Sequence, residues 1–405
     1  MVVLGSVGRQ GVPEVGGRLV DPPDWHDPWG IYREVRSAAP IVAAPDWDEL
    51  ICTTWADCER VLRDPTFSSS QSHRRHQPDV GAAPVATQMP NVLLFMDPPD
   101  HTRLRNLVSR AFTPRTVEQL RPQVAAWLEG MLDEIDPAGF DLMEAVAYPL
   151  PVTVICQLLG VPVADRHLFG PWSSDLSRML DGDLAEADLA AGVQSFMAIM
   201  EYLNDLFDER RSEPRDDLVS ALLAVEEEGD RLSEEELRSI VLLLFVAGHE
   251  TTMNLIGNGT VALLRSRDQW DRLCADPDLA HSAVEELLRF DGPVHVTARI
   301  ATVPSMVGDV EVEQGQTVIC HLAAANRDPA RFEHPDALDI ARPDVASLTF
   351  SHGIHYCLGA ALARLEGQET FKALTRRFPA LALTDEPVHR DHFVLRGYKA
   401  IHLKA

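Results

Sequence analysis

The sequence predicts a mainly α-helical protein with small β-sheets, folded as a single domain from about residue 21 onward. Three observations carry this expectation. Apolar side chains recur at three- and four-residue steps through most of the chain, interrupted by Pro, Gly and capping residues. Strand-like alternation is concentrated in one stretch, 294–321. No internal repeat and no low-complexity linker divides the 405 residues, whose 45% hydrophobic content suffices for a large core.

Composition excludes several functions. With 36 basic and 62 acidic side chains the net charge is −26, which argues against nucleic acids and anionic membranes as partners. Six cysteines stand at 52, 58, 156, 274, 320 and 357, with no C-x-x-C pair and no zinc spacing. A reduced, cytoplasmic chain is expected. The N-terminus has no secretory signal, and no apolar run reaches membrane-spanning length, the strongest being 240–248.

In chain order, residues 1–20 read as a loose tail. A short helix is expected over 27–39, then strands over 41–43 and 50–53 joined by a turn at Pro45-Asp46. Thr54 caps a helix that stops at Asp64-Pro65. The polar stretch 68–90 reads as a long loop. Asp97-Pro98-Pro99-Asp100 starts a helix on which His101 and Arg105, four apart, share a face. Taken alone, that pair is an ordinary solvated basic face. Further helices are expected over 114–136, over 146–159 ending at Gly160, and over 165–180 and 185–211 around the turn Asp181-Gly182-Asp183.

Ser233, with Glu236 three residues on, forms a capping box that opens a long helix to about Arg265. Ile240, Leu244, Ala247, Thr251, Leu255 and Asn258 mark one of its faces. Near its middle stands Ala247-Gly248-His249-Glu250-Thr251-Thr252. Gly248 costs about 1 kcal/mol relative to Ala in a helix interior, which suggests a close approach to the backbone there. An acid beside a hydroxyl, Glu250-Thr251, can pass protons to a bound ligand. Two decoys lie nearby. His249-Glu250 begins the zinc-protease pattern H-E-x-x-H, but position 253 is Met. Gly257-x-Gly259-x-x-Ala262 resembles a dinucleotide fingerprint, but it sits inside a helix and follows no strand.

A helix over 278–291 contains Glu286-x-x-Arg289, a spacing shared by Glu118/Arg121, Glu228/Arg231 and Glu235/Arg238. The stretch 294–321 carries Arg299 on its first strand and a hairpin signal at Gln314-Gly315. A Pro-rich meander, 326–343, leads to Phe350-x-x-Gly353-x-His355-x-Cys357-x-Gly359. From the composition, a chance match to those five positions is on the order of a few in a hundred thousand. Gly353 and Gly359 allow tight turning and close approach of a planar ligand, and Phe350 can shield the sulfur. A helix is expected to start at Leu358, so that Cys357 gains from the positive end of its dipole, as a soft anionic ligand for iron would.

The cysteine segment resembles the haem-binding loop of the cytochrome P450 family, the haem-thiolate monooxygenases, with Ser351 where many members carry another Gly. Asp97-Pro-Pro-Asp-His-Thr-Arg-Leu-Arg and Ala247-Gly-His-Glu-Thr-Thr resemble two more of its motifs, with Glu250 where many have Asp. The resemblance runs from about Asp27 to the end. It implies a buried haem b ligated by Cys357 and lined by Ala247, Gly248, Phe350 and Gly359. Its propionates would meet His101, Arg105, Arg299 and His355. Glu250 and Thr251 would be catalytic, and Glu286 with Arg289 a structural pair. Leu93, Leu244, Ala247, Val294, Val296 and Phe393 would line an apolar substrate pocket under a roof from 68–90 and a lid from the 165–211 pair. The implied reaction inserts one atom of O₂ into a small hydrophobic substrate, of a secondary-metabolite or macrolide-like kind. Electrons would come from NAD(P)H through a flavin-containing ferredoxin reductase and a ferredoxin, to a monomer without membrane anchor. Alternatives are minority chemistry of the family (peroxide-driven oxidation, aryl coupling, nitration, nitric oxide reduction) or a non-catalytic binding module.

Overall fold

The computed structural model of the chain describes residues 12–13, 17–20, 22, 24, 26–44, 49–75, 92–179, 186–227, 230–390 and 394–405. They fall into two compact units. One comprises Met1–Val80, Ser282–Cys357 and His389–Gly397; the other comprises Gly81–His281, Leu358–Val388 and Tyr398–Ala405. The expected turns at 45–46 and 181–183, most of the 68–90 loop, Glu228 and Phe393 lie outside the described residues.

The first unit is built on a five-stranded sheet. Its order is Ile41–Ala44, Glu49–Cys52, Thr317–His321, Val296–Ala301 and Phe67–Ser68. The central pair is parallel, with Cys320 opposite Cys52, and its other neighbours are antiparallel. Successive side chains leave a strand on opposite faces. Accordingly Leu50, Cys52, Val318 and Cys320 join Val61 and Leu62 of the helix Trp55–Arg63 in one core. Ile51 and Ile319 join Tyr32 and Val35 of the helix Trp29–Ala38 in another. Thr54 caps Trp55–Arg63 as expected, accepting from the Asp57 N–H.

Two expectations fail in this unit. Where it is described, the stretch 1–20 is packed: Val12 and Leu19 are buried in the two cores, and the Ala43 N–H donates to the Pro13 carbonyl at 2.9 Å. Apolar side chains with a sheet edge in reach gain more from burial than from a loose tail. The hairpin is also elsewhere. Ser305–Val307 pairs with Val310–Val312 around Gly308, φ +53°. Gly315, φ +82°, instead donates to the Ala301 carbonyl at 2.8 Å and directs Thr317–His321 alongside Val296–Ala301.

The second unit packs around the helix Glu234–Arg265. Both bonds of the capping box are made: Glu236 N–H to Ser233 Oγ at 3.2 Å, and Ser233 N–H to Glu236 Oε2 at 2.8 Å. Among the described residues, this helix alone is long and apolar enough to cross a membrane by composition, contrary to the expectation that no run is. It is a core helix here, with 67% of its apolar window buried. Pro149–Leu159, Arg166–Arg178 and Ala360–Arg377 pack against it. Phe169 sets its ring edge-on to Phe245, 4.8 Å away, and to Tyr202 of Glu186–Ser212, 4.9 Å away.

The single helix expected over 114–136 is two, Pro114–Glu118 and Arg121–Asp133. Pro122 has no N–H to continue the first, and its ring would strike the carbonyl four residues back. The helix expected over 146–159 begins as a π-turn, Met143–Ala147, where Tyr148 N–H reaches the Met143 carbonyl, and continues as Pro149–Leu159. It ends at Gly160 in the left-handed region, φ +79°, as expected.

Candidate functional site

The cysteine segment as far as Cys357 belongs to the first unit, and Leu358 and Gly359 belong to the second. Leu348 accepts from the Ser351 N–H at 2.7 Å, and Phe350 accepts from the Cys357 N–H at 2.9 Å. Between them Ser351 and Gly353 both take left-handed backbone, φ +60° and +71°, and Gly353–His355 forms a 3₁₀ turn. A Cβ on Gly353 would lie 2.5 Å from the Leu62 carbonyl oxygen, so only glycine fits. Gly359 is different: its φ is −82°, which any residue adopts, and it serves as N-cap of Ala360–Arg377. The helix starts two residues later than the sequence predicts, after a turn at Leu358-Gly359.

Cys357 is half-buried, with Phe350 buried before it and Tyr356 exposed beside it. Burial pushes Cys156 up to about 12 and Cys52 and Cys58 well above their ordinary values, which keeps them neutral core groups. Arg299 is buried on Val296–Ala301, donating to the Ala298 carbonyl at 2.8 Å and to Thr297 Oγ1 at 3.2 Å. Val296 is buried on the same strand, and Val294 bridges to Leu395.

Glu286 and Arg289 form a bidentate pair, Nε to Oε2 at 2.7 Å and Nη2 to Oε1 at 2.8 Å, with both side chains fully buried. Arg289 also donates to the carbonyls of Asn326, Pro335 and Ala337. Glu286 also accepts from the Asp339 N–H and from Arg342 Nε. The pair therefore pins the meander that precedes the cysteine loop. Sequence reading missed Arg342, which lies 56 residues from its carboxylate and shows no local signal. The identically spaced Glu118 and Arg121 make a surface pair.

The remaining predicted residues belong to the second unit. His101 and Arg105 share the helix Asp100–Ala111. His101 is buried; burial, reinforced by the Arg105 guanidinium and opposed by Asp97, holds its imidazole below the ordinary value. Leu93, in the 3₁₀ turn Leu93–Phe95, is buried against this helix and the long one. Along the long helix, His249, Glu250, Thr252 and Met253 are buried, yet Ala247 is exposed and Leu244, Gly248 and Thr251 are half-buried. Leu244, Ala247, Gly248 and Thr251 share one stripe of this helix. Within this unit nothing crowds Gly248: a Cβ there would meet Ile155 at 3.5 Å, an ordinary contact. Thr251 Oγ1 donates to the Ala247 carbonyl at 2.7 Å, which leaves its lone pairs to accept.

A family model described as Cytochrome P450 matches residues 66–404 in one run. The chain belongs to the cytochrome P450 family. It is 43% identical over 381 residues to the vitamin D(3) 25-hydroxylase of Pseudonocardia autotrophica, covering 92% of each protein. It is 42% identical over 390 residues to cytochrome P450 monooxygenase PikC of Streptomyces venezuelae, covering 93% of this chain and 91% of that protein. The ligand-free structure of Mycobacterium smegmatis CYP164A2 superposes with a TM-score of 0.88 at 39% identity, covering 96% of this chain and 98% of that one. This cytochrome P450 is therefore a monooxygenase of one P450 domain, with haem as its cofactor. The residues fit that group. Among the described residues no three His, Cys, Asp or Glu side chains are grouped to cage a bare metal ion. An iron that brings four ring nitrogens needs a thiolate and cations for two carboxylates; Cys357 and Arg299 in the first unit, and Arg105 in the second, are residues of those types.

Proposed function

We propose that this cytochrome P450 hydroxylates or epoxidises a small, largely apolar secondary metabolite of macrolide-like character. The names of its relatives, vitamin D(3) 25-hydroxylase, PikC and the 6-deoxyerythronolide B hydroxylase of Saccharopolyspora erythraea, support that class. The observation that carries the reading is that one chain holds both the Cys357 loop motif and, on its long core helix, the acid–hydroxyl pair Glu250-Thr251.

Haem, when bound, supplies the oxygen-binding and electron-accepting chemistry. Cys357 would hold the iron through its sulfur and, as an electron-rich thiolate, would tune the oxygen chemistry that haem supplies. Arg105 and Arg299 would neutralise the two propionates, with His101 and His355 as further hydrogen-bonding partners. Thr251, its hydroxyl proton directed to the Ala247 carbonyl, accepts and orients a water, and the neighbouring Glu250 carboxyl relays protons through it. Leu93, Leu244, Ala247, Val294 and Val296 would exclude water from the substrate. Electrons arrive from NAD(P)H through a ferredoxin reductase and a ferredoxin. The protein works in the cytoplasm as a monomer, where its six unbridged cysteines stay reduced.

The first measurement is the absorption spectrum of the reduced, carbon monoxide-bound protein. A strongly red-shifted Soret band is expected; a band at the shorter wavelength of a neutral-thiol or histidine ligand would mean that Cys357 is not a thiolate ligand in that preparation. Thr251→Ala should separate electron uptake from product formation, and unchanged coupling would remove Thr251 from the proton path. Product analysis under labelled O₂ distinguishes this reading from peroxide-driven or coupling chemistry.

A further inference from the structure

The cysteine loop rests on the last turn of the helix Trp55–Arg63. Arg63 offers both Nε and Nη2 to His352 Nδ1, at 3.1 and 2.9 Å. Glu59 Oε1 lies 3.4 Å from the same nitrogen and 3.1 Å from Arg63 Nη2. The Trp55 ring stands edge-on to the imidazole, 6.0 Å between centroids. The next residue, Gly353, meets the helix backbone at the Leu62 carbonyl. A guanidinium only donates, so Nδ1 of His352 is an acceptor here and the imidazole is neutral. Burial and the charge of Arg63, opposed by Glu59, hold its pKa below the ordinary value, so the accepting form persists. The Cys357 N–H is tied in turn to Phe350, two residues before His352.

We propose that His352 is a positioning residue for Cys357: clasped by Arg63, whose guanidinium Glu59 holds in place, it sets how the loop seats on the helix and so how the sulfur is presented. This rests on Cys357 being the iron ligand. It is distinct from packing, because the clasp depends on an acceptor atom at one point. Asn places its Oδ1 where His352 has Nδ1, whereas Ala has nothing there.

The test uses the full-length haem-loaded protein with His352→Ala, His352→Asn and Arg63→Ala. Two quantities are read: the ratio of thiolate-type to thiol-type Soret absorbance in the reduced carbon monoxide complex, and the iron midpoint potential. The clasp is partly exposed, so the expected loss in that ratio for His352→Ala is about threefold, with a shifted potential. His352→Asn should restore both readouts, and Arg63→Ala, a surface change that leaves the core intact, should reproduce the alanine result. Wild-type values in His352→Ala, or an Asn variant no better than Ala, would overturn the proposal. A wild type with no thiolate-type band removes the ligand assignment itself, and the clasp proposal with it.

Discussion

Glu286→Ala tests how the meander ahead of the cysteine loop is held. The truncation removes both oxygens that meet Arg289, at 2.7 and 2.8 Å, together with the acceptor for the Asp339 N–H at 3.0 Å and for Arg342 Nε at 3.1 Å. The Arg289 guanidinium stays behind, fully buried, beside the rings of Phe290 and Phe332. Breaking such a pair from one side costs about 3–5 kcal/mol. Three carbonyls still receive Arg289, at 3.0, 2.9 and 3.3 Å, which places the loss near 3 kcal/mol, the low end of that range. Against a total of about 5–15 kcal/mol, this is a large share. Glu118→Ala is the internal control, with the same three-residue spacing. Its carboxylate is 61% exposed, so its loss should cost less than about 1 kcal/mol. Urea midpoints at equal haem loading, followed by tryptophan fluorescence and by Soret absorbance, compare the two. Equal losses in the two variants would refute the argument that burial, rather than spacing, gives Glu286 its role.

Gly353→Ala cannot be accommodated at φ +71° with the Leu62 carbonyl oxygen 2.5 Å from the new methyl; the purified variant should carry less haem per chain, and full occupancy would contradict the geometry. Ser351→Gly should do the opposite, because a non-glycine residue at φ +60° costs about 1–2 kcal/mol; a raised melting temperature is expected. Acid should destabilise the fold through His321, which burial pushes down from 6.5 to about 3. A depressed folded value means that its contribution is complete above pH 6.5 and lost progressively as pH falls toward 3, about 2 kcal/mol by pH 5. Urea unfolding at pH 7 and pH 5 should show that loss, and a conservative His321→Gln variant should show less of it. Ser233→Ala removes the cap of the long helix and should cost about 1 kcal/mol in the same assay.

Local chemistry was legible in the chain. Ser233 and Glu236 marked the start of the long helix because a capping box is complete within four residues. Thr54, Gly160 and Pro65 bounded their helices for equally local reasons. Phe350, Gly353, His355 and Cys357 identified the loop because a thiolate site demands a rare set of residues at short spacing. Other features lay beyond local reading. By spacing alone the other three Glu-x-x-Arg pairs look as good as Glu286 and Arg289; family resemblance picks that pair out, and its bonds to the carbonyls of Asn326, Pro335 and Ala337 appear only in the fold. The parallel pairing of Cys52 with Cys320 joins strands 268 residues apart by number, and no periodicity within either strand selects its partner. The packing of Val12 and Leu19 and the clasp of His352 by Arg63, 289 residues away, are of the same kind. Backbone conformation and capping act over a few residues and so are written in short segments. Burial and partner choice depend on which distant segments reach the same place, which the tertiary fold alone decides.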